Sequence, residues 1–146
     1  MTTELRTLFE RELDRLTEEI RAFEQEESLW KTEGQISNTA GNLCLHLVGN
    51  LNTYIGAILG QSGYIRNREA EFNLRNLPRK ELLEQIADVK EIVSHTLGSI
   101  VPEQLQETYP QEVLGFDTTV GYFLIHLYGH LNYHLGQINY LRRMLE

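Results

Sequence analysis

The feature that most constrains this chain is its apolar spacing, which follows the turn of an α-helix over long proline-free stretches. Leu5, Phe9, Leu13, Leu16, Ile20 and Phe23 recur at steps of three and four, which sets one apolar stripe on a helix running from about Thr3 to Glu27. Glu and Arg fill the positions between and suit a solvated face. Leu43, Leu47, Leu51, Tyr54, Ile55 and Ile58 repeat the pattern from about Asn38 to Gln61, with Ser37 or Asn38 as the expected N-cap. This second segment is rich in small residues, among them Gly41, Gly49, Gly56 and Gly60. Each glycine costs a helix roughly 1 kcal/mol, so several together point to close helix approach or to room for a ligand.

A third helix follows Pro78, with Leu82, Ile86, Val89, Val93 and Leu97 as its stripe and Gly98 at its end. The fourth runs to Leu145 on Val120, Leu124, Leu127, Leu131, Leu135 and Ile138, with Asp117 or Thr118 as its expected cap. Arg142 and Arg143 fall in its last turn, where cations suit the helix dipole. Two connections, about Ser62 to Leu77 and Ser99 to Phe116, are long enough for crossovers. No strand-like alternation competes. The expectation is an all-α four-helix bundle in a single domain over residues 1–146.

The net charge of −8 repels phosphate backbones and anionic membrane surfaces, so neither nucleic acid nor membrane is an expected partner. No stretch approaches the roughly 20 apolar residues of a membrane span. The start Met1-Thr2-Thr3-Glu4 leads into a charged pattern unlike a signal peptide, and one cysteine makes no internal disulfide. The expected compartment is cytoplasmic.

Three of the five histidines, His126, His130 and His134, lie four residues apart on the last helix. Each step turns about 40° beyond a full circle, so neighbours sit one turn apart on one face. Two such imidazoles can share a metal ion. All three on one straight helix cannot, because the outer two are about 12 Å apart by helical rise. Spacing leaves both His126–His130 and His130–His134 open as the chelating pair. The third ligand must come from another helix, and His46 on the second is the best placed. His95, between Ser94 and Thr96, reads as a hydrogen-bonded core histidine. Cys44 lies about 200° around its helix from His46 and reads as a packed, inert thiol. Leu131 occupies the position where zinc proteases place a glutamate, and the Glu-x-x-His motifs of di-iron bundles are missing. No residue is assigned as catalytic.

The segment His130-Leu131-Asn132-Tyr133-His134-Leu135-Gly136-Gln137 resembles the HxxxHxGQ pattern of the DinB-like metal-binding helical bundle superfamily. Leu43 to Leu51, centred on His46, is similar to its single-histidine motif, and Arg66 to Phe72 resembles the loop of one DinB-like subgroup. The resemblance covers about Leu29 to Arg142. It implies an up-down-down-up bundle, a homodimer, and a divalent ion, nickel or zinc, on His46, His130 and His134; it selects His130–His134 as the pair. Some relatives are thiol transferases, which implies a small-molecule thiol as substrate. A noncatalytic, metal-stabilised bundle that dimerises or binds a partner is one alternative, and a metal-dependent hydrolase is another. Asn50 and Gln137 then become candidates to orient ligand imidazoles. His126 takes a place behind the ligands, read first as a core hydrogen-bonder. Arg66, Arg68, Glu69 and Glu71 are expected to pin the long loop by salt bridges, with Arg66 and Arg68 as candidate contacts for a substrate carboxylate.

Overall fold

Residues 1–146 are described by a computed structural model in which the four apolar stripes form four long helices around one core. Helix α1 spans Thr2–Ala22, α2 spans Ala40–Leu51 and runs on as a π-helical segment over Asn52–Ala57, α4 spans Arg79–Ser99, and α5 spans Val120–Leu145. The chain is all-α; its only β pairing is an isolated bridge between Thr108 and Thr119. No helix is long and apolar enough to cross a membrane.

Several boundaries differ from the expected ones. Helix α1 stops at Ala22 rather than near Glu27, because Phe23 turns extended (ψ 118°) to bury its ring. The freed Glu24 and Gln25 amides donate to the Glu146 carboxylate at 2.9 and 2.8 Å. A 3₁₀ turn, Glu26–Trp30, follows. Thr39, not Ser37 or Asn38, caps α2, its hydroxyl accepting from the Asn42 amide at 3.1 Å. Thr119, not Asp117 or Thr118, caps α5 in the same way, from the Tyr122 amide at 3.0 Å. A threonine hydroxyl that reaches the third amide of its helix satisfies a donor that has no partner in the helix itself.

The connection from Ser62 to Leu77 holds a short helix, α3, spanning Arg68–Asn73 and capped by the Asn67 side chain. Asn42 on α2 anchors its end by donating to the Glu71 and Leu74 carbonyls at 2.9 and 2.8 Å. Every residue from Ala40 to Leu51 is buried, because α4, α5 and α3 surround α2. Its glycines permit this: a Cβ at Gly41 would enter the Trp30 ring, and one at Gly49 would collide with the Glu71 carboxylate.

Helix α1 packs on α4 and α5, and α2 packs on the same two helices. Lys90 pairs with Asp14 at 2.6 Å and Arg6 donates to Ser94 at 3.1 Å across α1 and α4. Arg11 donates to Tyr128, and Arg142 pairs with Glu19, both at 3.0 Å across α1 and α5. Gly56 and Gly60 lie against Ile92 and Thr96. Tyr54 meets Phe123 edge to face across α2 and α5, with centroids 5.4 Å apart.

Candidate metal centre

His46 enters the site from α2, where full burial of the helix leaves it 6% exposed. His130 and His134 enter from α5 on adjacent turns and are half-buried. Packing of α2 on α5 brings the three rings edge to face. The His130 Nε2 atom lies 3.2 Å from His46 Nε2 and 3.1 Å from His134 Nε2. One ligand atom from each of the three lies within 4.8 Å of the others.

The far side of each ring decides which nitrogen is bare. Glu71 Oε1 lies 3.0 Å from His46 Nδ1, and a carboxylate only accepts, so the His46 proton sits on Nδ1 and Nε2 presents its lone pair. Gln137 Oε1 holds His134 Nδ1 at 2.7 Å with the same result. His130 can place one proton between the rings, which satisfies only one of two facing lone pairs. Its own Nδ1 is buried without a hydrogen-bond partner. Three imidazole nitrogens that converge this closely fit a shared cation better than a shared proton. Tetrahedral ligands at zinc distances stand about 3.3 Å apart, near the two separations observed.

Electrostatics work in the same direction. Burial, then the neighbouring His134 and His46, pushes the His130 imidazole down to about 4. Burial also lowers His134, although its hydrogen bond to Gln137 works the other way. Neutral imidazoles are the form that ligates metal. Burial raises the Glu71 carboxyl, but hydrogen bonds from His46 and Arg66 and the Arg66 charge outweigh it and hold the group below its usual value. Arg66 grips Glu71 with two bonds, Nε to Oε2 at 2.8 Å and Nη2 to Oε1 at 3.0 Å. Arg66, Glu71 and His46 thus form one chain, the carboxylate–histidine arrangement that orients metal ligands.

A cavity of about 160 Å³ opens beside His46 and His130. Asn50, Tyr54, Arg66, Arg68, Phe123 and His126 contribute to its walls. Asn50 makes no bond to a ligand histidine; its buried Oδ1 has no partner. Arg68 is exposed, stacks on the Phe72 ring at 5.4 Å and has no carboxylate partner. His126 is not the core hydrogen-bonder expected. It is exposed and stacks on Phe123, centroids 5.6 Å apart, because its place on α5 lies outside the apolar stripe. His95 is likewise exposed, not core. Cys44 is fully buried, and burial raises its thiol to about 12.

Glu71 was legible only as one charge in a loop rich in Arg and Glu. Its contact with His46 depends on where α3 lands, and the sole local sign was Gly49 three residues after His46, the gap its carboxylate enters. Gln137 acts through local helical spacing and was legible from it.

No curated protein matches the chain at a significant level. A family model described as "Protein of unknown function (DUF1572)" matches residues 2–146. The chain belongs to this family, whose description assigns no activity.

Proposed function

We propose that the chain is a DinB-like metalloprotein that holds one divalent ion, nickel or zinc, on His46, His130 and His134 and activates a small thiol for transfer. The observation that carries this reading is the convergence of three imidazole nitrogens, two of them fixed from behind by Glu71 and Gln137. The cross-helix contacts support the up-down-down-up order of that superfamily. Early α1 meets late α4 through Arg6 and Ser94, while α1 and α5 run the same way, with Arg11 on Tyr128 and the later Glu19 on Arg142. The segment that continues α2 meets early α5 through Tyr54 and Phe123, and meets the later half of α4 where Gly56 and Gly60 lie against Ile92 and Thr96. A cytoplasmic location fits a lone thiol that is buried.

A divalent ion on three neutral histidines supplies a Lewis acid that lowers the pKa of a bound thiol or water. The chain's own groups divide the rest of the work. Arg68, free of carboxylates, is placed to take an anionic end of the substrate. Asn50 offers an acceptor without a partner, and His126 at the rim can take up the thiol proton. Arg66 is already committed to Glu71. No carboxylate lines the cavity, so hydrolysis would lack the usual acidic base.

Elemental analysis of the wild type beside His46→Ala, His130→Ala and His134→Ala tests the site. One ion per chain is expected in the wild type and none in the variants; full occupancy in any variant removes that residue. Incubation of the metal-loaded protein with thiols and electrophiles tests the chemistry. Metal-dependent conjugation is expected, and its absence across a broad panel favours a purely structural ion.

A further inference from the structure

A second cavity borders the histidine cluster on the Nδ1 side of His134. It is a groove of about 430 Å³ between the segment that precedes α2 and the last turns of α5. Buried Leu43 and Leu141 line its floor, and the more exposed Ile36, Tyr140 and Met144 line its walls. Gln137 lines it too. The groove shares no residue with the cavity beside His46 and His130.

None of the residues around this groove carries a charge, although 23% of the chain is charged and its net charge is −8. A charged ligand would lose hydration there and find no counter-ion. Sites for small organic molecules have volumes of about 300–1,000 Å³, apolar walls and a few placed polar groups. This groove meets all three conditions, and the flexible Met144 side chain lets its wall adapt.

Gln137 joins the groove to the histidine cluster. Its Oε1 lies 2.7 Å from His134 Nδ1. An ion on His134 Nε2 obliges Nδ1 to keep its proton, and that proton holds Oε1. The Gln137 NH₂ is then the polar group left for the groove, and it only donates. Without an ion, His134 can carry its proton on Nε2 and accept at Nδ1. The amide is then free to turn over and offer its oxygen to the groove instead. Metal binding thus selects which polar group a ligand in the groove meets.

We infer that this groove binds an uncharged, apolar small molecule with a hydrogen-bond acceptor, and that molecule and metal strengthen each other's binding through Gln137 and His134. The coupling is reciprocal by linkage. It rests on the metal centre of the proposed function and not on thiol transfer.

Prodan, a neutral naphthalene bearing a ketone, is a suitable probe, because its emission moves to the blue in apolar surroundings. The dye is held dilute while the zinc-loaded full chain is titrated. Saturable binding with a Kd of about 100 μM or tighter is expected. Met144→Asp and Ile36→Asp each put a charge into an exposed part of the wall. Each should weaken dye binding at least ~10-fold and leave the metal content by elemental analysis unchanged. Chelation of the zinc should weaken binding to the wild type about 5-fold or more. Gln137→Leu, compared at saturating zinc and after chelation, should still bind the dye with that difference gone. No saturable binding, or binding that neither aspartate moves, overturns the groove. Emission that falls again as the chain is concentrated identifies a second copy as the occupant and overturns it too. Equal affinity with and without zinc in a wild type shown to be loaded, or a zinc effect that survives Gln137→Leu, overturns the coupling. A wild type that takes up no ion overturns the metal centre itself and the coupling with it, and the aspartate variants then still decide the groove.

Discussion

At Glu71 a buried carboxylate is balanced by two partners of different kinds, the Arg66 guanidinium at 2.8 Å and the His46 imidazole at 3.0 Å. The first neutralises its charge and the second uses its acceptor. Glu71→Gln keeps the shape and an acceptor but removes the charge that makes His46 a strong ligand. Such changes behind a ligand cost about 10–100-fold in metal affinity, and a competing chelator should measure a loss in that range. Unchanged affinity would detach Glu71 from the site. The three histidines also set a pH response in the metal-free protein. His130 is pushed down to about 4 in the folded state, against about 6.5 in an unfolded chain. Between those values the unfolded state binds a proton that the native state refuses, so stability rises with pH there. The contribution is full above the unfolded value and is lost as pH falls toward the folded one. His134 moves the same way. Urea midpoints of the chelated protein should therefore drop between about pH 6.5 and 4. His130→Ala should flatten that slope, and an equal slope in the variant would assign it to other groups.

At the level of elements, the site exists because α3 lies across α2 at a glycine. Gly49→Ala illustrates the balance. Alanine raises helix propensity by about 1 kcal/mol, but its methyl would collide with the Glu71 carboxylate. Overpacking a tight contact costs about 1–3 kcal/mol, and Glu71 cannot retreat without releasing His46 or Arg66. The expected outcome is a lower melting temperature together with weaker metal binding. A higher melting temperature with unchanged affinity would mean that α3 gives way freely. The same contact explains what the sequence reveals and what it hides. Helices α1, α2, α4 and α5 were legible because each repeats its apolar spacing over three turns or more. Helix α3 has six residues, Arg68–Asn73, too few for a period to declare itself. The caps fell one or two residues away because Ser37, Asn38 and Thr39, like Asp117, Thr118 and Thr119, are all competent. Only the backbone at Thr39 and Thr119 presents a hydroxyl to the right amide. His130 and His134 announce each other through local spacing. His46 and Glu71 are 25 residues apart, and no local pattern links them. His126 misled for the opposite reason: it shares the ladder's spacing yet lies one step beyond the buried edge of α5.

Across the whole molecule, the histidines tie residues far apart in sequence, since His46 and His130 are 84 positions apart. A metal on them binds the folded chain and not the unfolded one, so its binding energy adds to folding. At a free metal concentration about a thousand times the Kd, that gain is about 4 kcal/mol. Chelation should lower the denaturation midpoint of the wild type accordingly. His46→Ala removes the response, because the variant loses the ion and with it the link between α2 and α5. The change should also be uneven. Helices α1 and α4 are joined by their own contacts, Lys90 with Asp14 and Arg6 with Ser94, and neither helix carries a ligand. Amide exchange in metal-free protein should therefore quicken first around His46, in α3 and in the middle of α5, where the ion and the Glu71 chain hold α2 to its neighbours. Uniform acceleration over all four long helices would mean that the bundle opens as one unit and that the metal stabilises it globally. Unchanged exchange and an unchanged midpoint on chelation would mean that packing alone holds the three imidazoles together, which would leave their converging lone pairs without a cation to explain them.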